Sequence, residues 1–136
     1  MDSLFLDTSF AIALSSRRDQ HHQRAVELAA ELRNSGTSLV TTVPVVIEIG
    51  NSLARQSFRA AAVSLIRSLH ADSNVTIHPI GQSLYNQAFT LFSDREDKDW
   101  GFTDCISFVL MESQGLTKAL TADHHFVQAG FEALLK

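Results

Sequence analysis

Leu4-Phe5-Leu6-Asp7-Thr8-Ser9 is a short apolar run that stops at a carboxylate followed by two hydroxyls. A run of this length reads as a buried strand, with Asp7 at the point where the strand leaves the core. A strand that closes on an acid places that acid. Three more acids stand in comparable positions: Glu48 inside an apolar helical stretch, Asp104 at the turn into a helix, and Asp123 just beyond an apolar run.

Outward from that stretch, the pattern alternates between strands and helices. Apolar residues at helical spacing predict helices over 9–14, 19–33, 44–55, 58–69 and 84–92, and another from Thr103-Asp104 to a stop at Gly115. Asp19 is the expected cap of the second helix, Gly36 its end, and Pro44 the opening of the third. Short β-branched or alternating runs predict strands over 39–42, 75–80 and 119–121, with a last edge strand over 131–135. This order predicts an α/β fold with a parallel sheet covered on both faces, and ligands in such sheets bind beyond the carboxyl ends of the strands. If the first and fourth strands are neighbours, Asp7 and Asp123 face each other there, with Glu48 and Asp104 entering from helices.

At 136 residues the chain is expected to form one domain over 1–136, large enough to bury a core without disulfides. Its formal charge of −4 counts against a simple phosphate-gripping module, which would carry a basic footprint. The single cysteine, Cys105, reads as a small core residue. The sequence lacks both a membrane-length apolar run and a secretory leader pattern, so the expected location is cytoplasmic, with no membrane partner.

Carboxylates gathered within a few ångströms repel one another, and a bound cation offsets that repulsion. All-oxygen donors favour hard ions such as Mg²⁺ or Mn²⁺. Asp7, Glu48, Asp104 and Asp123 are therefore the candidate metal ligands and catalytic residues, with Asp104 further favoured as an anion at a helix N-terminus. In an open acidic crevice, such ions serve the hydrolysis of a phosphodiester by activated water. Asp97 and Asp99 read instead as part of a solvated charged loop with Arg95 and Lys98. The His21-His22 and His124-His125 pairs do not read as zinc ligands, because neighbours on a helix point about 100° apart.

Phe5-Leu6-Asp7-Thr8-Ser9, Val46-Ile47-Glu48-Ile49-Gly50-Asn51, Trp100-Gly101-Phe102-Thr103-Asp104-Cys105 and Leu120-Thr121-Ala122-Asp123-His124-His125-Phe126 resemble the ordered motifs of PIN-domain ribonucleases, in particular VapC-type toxins of bacterial toxin–antitoxin pairs. The resemblance spans nearly the whole chain. It implies a three-layer α/β sandwich around a central, mostly parallel sheet, Mg²⁺- or Mn²⁺-dependent endoribonuclease activity, a homodimer, and a cognate antitoxin. It also implies metal-ligand roles for the four acids, with Thr8 and Thr103 as hydroxyl partners, and packing for the segment after Asp123. Two alternatives remain at this point. One is a phosphohydrolase of haloacid-dehalogenase type, which wants a second aspartate where this chain has Ser9. The other is a catalytically silent binding module of the same fold.

Overall fold

The computed structural model describes residues 3–136. Strands β1 (Leu4–Leu6), β2 (Leu39–Thr42), β3 (Val75–His78), β4 (Lys118–Leu120) and β5 (Glu132–Ala133) form one sheet in the order β3-β2-β1-β4-β5. Every pairing is parallel, with Phe5 in register with Val40 on one side and Ala119 on the other. β1 is thus the middle strand. Its three residues are all buried, as a strand covered on both faces requires, which is why it lacks polar alternation.

Helices α1 (Thr8–Ser15), α2 (His22–Ser35), α3 (Val43–Ser52) and α4 (Gln56–Ala71) carry the chain from β1 to β2 and on to β3. Helices α5 (Gln82–Asp94), α6 (Phe102–Ser113) and α7 (His124–Gln128) carry it back through β4 to β5. Because the direction of travel reverses, right-handed crossovers put the two groups on opposite faces and give three layers. The packing agrees: α1 contacts α2, α3 and α4, whereas α5 packs on α6 and α6 on α7.

The boundaries differ from the sequence expectation where local hydrogen bonds decide them. Asp19 accepts the His21 amide (2.8 Å) in a turn ahead of α2, so the helix starts at His22 and Asp19 is not its cap. Thr42 caps α3 through the Val45 amide (3.2 Å), with Pro44 in the first turn, and the helix stops at Ser52. β3 ends at His78, before Pro79, which has no amide to extend the ladder. The edge strand expected over 131–135 reduces to Glu132–Ala133. Gly36 ends α2 with φ 67°, as expected of a residue in the left-handed region.

Candidate active site

The strand order reverses between β1 and β4, and the acids collect at the carboxyl ends of those two strands. Asp7 is the first residue beyond β1 and its amide donates to the Leu120 carbonyl (3.2 Å), which ties the ends of the two strands together. The side chain is 6% exposed. Its Oδ2 accepts from the Thr121 hydroxyl (2.8 Å) and the Ser9 hydroxyl (3.2 Å). Those hydroxyls are themselves oriented from behind. Thr121 Oγ1 accepts the Asp123 amide (3.0 Å) and Ser9 Oγ accepts the Ala122 amide (2.9 Å). With one lone pair of each hydroxyl taken by a backbone amide, Thr121 gives its proton to Asp7 and Ser9 divides its single proton between Asp7 and Thr121 Oγ1 (2.9 Å).

Burial pushes the Asp7 carboxyl up to about 6, against the lowering effect of hydrogen bonds from Thr121 and the Thr8 backbone; the nearby charges of Asp104 and Asp123 add to the rise. Asp104, in the first turn of α6, accepts the Gly101 amide (3.2 Å). Its carboxyl is also raised, first by burial and then by Asp123, against the Gly101 bond and His125. Burial therefore outweighs the helix N-terminus that was expected to favour its anion.

Asp123 is the N-cap of α7 and accepts the His125 amide (2.9 Å). Glu48 reaches the group from α3 by one step, accepting the Thr8 hydroxyl at 2.7 Å. Asp7, Asp104 and Asp123 thus act on one another electrostatically, while Glu48 is linked to the residue beside Asp7. Among the described residues, no lysine or arginine pairs with any of the four acids. Asp97 instead takes both of its bonds from Arg95 (3.0 and 3.1 Å), outside the site. An acid cluster without a lysine or arginine partner is a donor set suited to a divalent cation.

Two participants escaped the sequence reading. Thr121 was read as strand, yet its hydroxyl is the shortest bond to Asp7; the signal was a hydroxyl closing an apolar run, the pattern that also ends β2. His125 was assigned to packing, yet its Nδ1 lies 3.2 Å from Asp104 Oδ2 and 3.4 Å from Asp123 Oδ1. The donor set is therefore not oxygen alone. Thr103, expected as a hydroxyl partner, offers its carbonyl to Ser107 (3.1 Å), and no bond joins its hydroxyl to a site acid among the described residues. Phe126 explains why α7 sits here: fully buried, it lies edge-on to Phe108 of α6 (4.9 Å between centroids) and 6.2 Å from Phe5 of β1. The Trp100 indole N–H donates to Gln128 (3.0 Å), a second tie between the approach to α6 and the end of α7.

The PIN domain family matches residues 4–132. Two relatives, each named 23S rRNA-specific endonuclease VapC20, come from the CDC 1551 / Oshkosh and H37Rv strains of Mycobacterium tuberculosis. Both are 28% identical over 128 residues, covering 94% of this chain and 95% of the relative. The crystal structure of Mycobacterium tuberculosis VapC20, described as a sarcin-ricin loop cleaving toxin, superposes with a TM-score of 0.81 at 27% identity, over 94% of this chain and 95% of that one.

Proposed function

The chain belongs to the PIN domain family, and on that premise we propose that it is a divalent-metal-dependent endoribonuclease, the toxin of a type II toxin–antitoxin pair. The observation that carries the reading is the convergence of Asp7, Asp104 and Asp123 from three separate elements at the sheet's switch point, with no lysine or arginine among the described residues to balance them. These three, with Glu48, would hold one or two Mg²⁺ or Mn²⁺ ions. When bound, such ions acidify water and balance the charge that develops on the phosphate.

The chain's own part is to orient and to exclude. Thr121 and Ser9 fix the plane of the Asp7 carboxylate, Gly101 and His125 fix Asp104, the His125 amide fixes Asp123, and Thr8 fixes Glu48. Each acid is thereby held by a neighbour that leaves lone pairs for an ion. No side chain serves as a covalent nucleophile: the Thr8 hydroxyl is committed to a carboxylate, Ser9 lies in the Asp7 network, and Cys105 is buried with its thiol pushed up by burial. The phosphohydrolase alternative loses further ground, since Ser9 occupies the place of its second aspartate and bonds to the first. With all four acids present and three of them gathered, nothing favours a silent module.

The partners follow from the same premise. The relatives' names direct the substrate choice to RNA, with 23S rRNA the first to try. An apolar cleft of about 440 Å³ between α1, α2 and α4, lined by Leu14, Leu32, Leu65 and Leu69 among others, supports a protein partner such as an antitoxin segment. Tyr85, Phe89 and Phe92 lie exposed along α5 around Phe102, which supports a second subunit. The test of the activity is incubation of partner-free protein with RNA in Mg²⁺ or Mn²⁺, with and without EDTA. Cleavage that EDTA stops, leaving 5′-phosphate ends, is the expected result; cleavage indifferent to EDTA, or 2′,3′-cyclic ends, would sink the reading.

A further inference from the structure

His124 and His125 break the rule that made them unpromising ligands. Adjacent residues in mid-helix diverge, but these two open α7 directly after its cap, where the Asp123 side chain folds back onto the His125 amide. Their rings lie 4.6 Å apart between centroids. One donor atom from each of Asp123, His124 and His125 falls within 4.8 Å of the others. Asp123 Oδ1 is 3.4 Å from His125 Nδ1 and 3.8 Å from His124 Nδ1. Bonds of about 2.0–2.1 Å in a tetrahedron give donor-to-donor edges of roughly 3.3 Å, so only the His124 side has to close in.

We propose that Asp123, His124 and His125 form a second cation site, suited to a borderline ion such as Zn²⁺, that shares Asp123 with the acid cluster. Two imidazoles and one carboxylate are a donor set that Zn²⁺ prefers and Mg²⁺ does not. Three protein donors leave a fourth tetrahedral position for water. The burial is graded to match. His125 is held inside, with 19% of its side chain exposed, while His124, at 62%, is free to swing onto an arriving ion. An ion there draws Asp123 away from the acids and takes over the His125 Nδ1 that otherwise holds Asp104 (3.2 Å), so Zn²⁺ is a brake on any Mg²⁺-dependent chemistry at the cluster. The cation site stands on donor geometry alone, and only the brake rests on the nuclease reading.

The test uses tag-free full-length protein and a Zn²⁺ titration read by competition with a chromophoric chelator. One Zn²⁺ per chain is expected. Its affinity should fall at least ten-fold in His125→Ala and in His124→Ala, and persist in Asp7→Asn and in His70→Ala. His124 is exposed, so its replacement leaves packing untouched and keeps the test valid if His125→Ala folds poorly. In an RNA cleavage assay with Mg²⁺, the Zn²⁺ concentration that halves the rate should rise at least ten-fold in His124→Ala. Absence of Zn²⁺ binding at micromolar concentrations, or binding indifferent to both imidazoles, overturns the site. Binding that depends on the imidazoles in a chain that cuts no RNA leaves the site standing and removes the nuclease reading instead.

Discussion

A carboxyl buried as deeply as that of Asp7 is a charge the fold tolerates at a cost, and the cost has a sign that can be measured. Its folded-state value, about 6, lies above the ordinary 3.8. Between those values the folded chain binds more protons than the unfolded one, so in the metal-free protein stability falls as pH rises through that window and then stays at the lower level. The shift corresponds to roughly 3 kcal/mol. Urea unfolding in EDTA at pH 4.5 and 7.5 should show about 2 kcal/mol of this loss, since part of it is already complete at the lower pH, reduced or absent in Asp7→Asn; equal slopes for parent and variant would contradict it. Thr121→Val removes the donor to Asp7 and the acceptor of the Asp123 amide, a loss of about 1–3 kcal/mol. Because that hydrogen bond lowers the Asp7 carboxyl, the acid limb of the cleavage pH profile should move to higher pH in this variant. An unmoved limb would show that Thr121 does not govern Asp7. The acids themselves were legible in the sequence, since a charge at the end of an apolar run needs a reason. Of the groups that orient them, Thr8 was legible and bonds Glu48, but Thr121 and His125 were not, because such a hydroxyl or imidazole gains its role only when β4 and α7 are folded against β1 and α6.

At the scale of elements, the site is as rigid as the termini that carry it. Thr42 is fully buried and caps α3, the helix that delivers Glu48. Thr42→Ala should cost about 1 kcal/mol and lower the melting temperature at constant pH; an unchanged melting temperature would mean that the cap is not holding the helix. The strands that build the site were readable because β1, β2 and β4 are short apolar runs with no competing helical period. Where elements begin and stop was readable only in part: Gly36 closes α2 as expected, but other ends were not legible. Asp19 looks like a cap, yet its carboxylate serves a turn three residues ahead of α2. The edge run 131–135 has strand-like residues, but the ladder with β4 covers Glu132 and Ala133, beyond which the Leu134 and Leu135 amides still donate to the Ala119 and Thr121 carbonyls (3.0 Å each). Ends are decided by single hydrogen bonds made in the folded state, and the apolar pattern carries no record of them.

For the molecule as a whole, the charge of −4 means that no global field draws in a polyanion; on the proposed reading, cations at the acid cluster would supply the positive charge locally. Among the described residues, no helix is long and apolar enough to cross a membrane. The exposed aromatic strip of α5 calls for a cover in solution: Phe89, 53% exposed, sits at its centre. Light scattering should find a dimer for the parent and a monomer for Phe89→Asp, and a monomeric parent would remove the second subunit from the account. The central claim is that the carboxylates at the switch point cut RNA through a bound divalent ion. Its most direct test sets the parent beside Asp7→Asn on one RNA preparation containing 23S rRNA, in Mn²⁺ and again with EDTA, after matching their circular dichroism. The parent should cut, EDTA should stop it, and Asp7→Asn should be slower by on the order of 100-fold or more with a melting temperature no lower than the parent's. Equal cutting by the two proteins would contradict it.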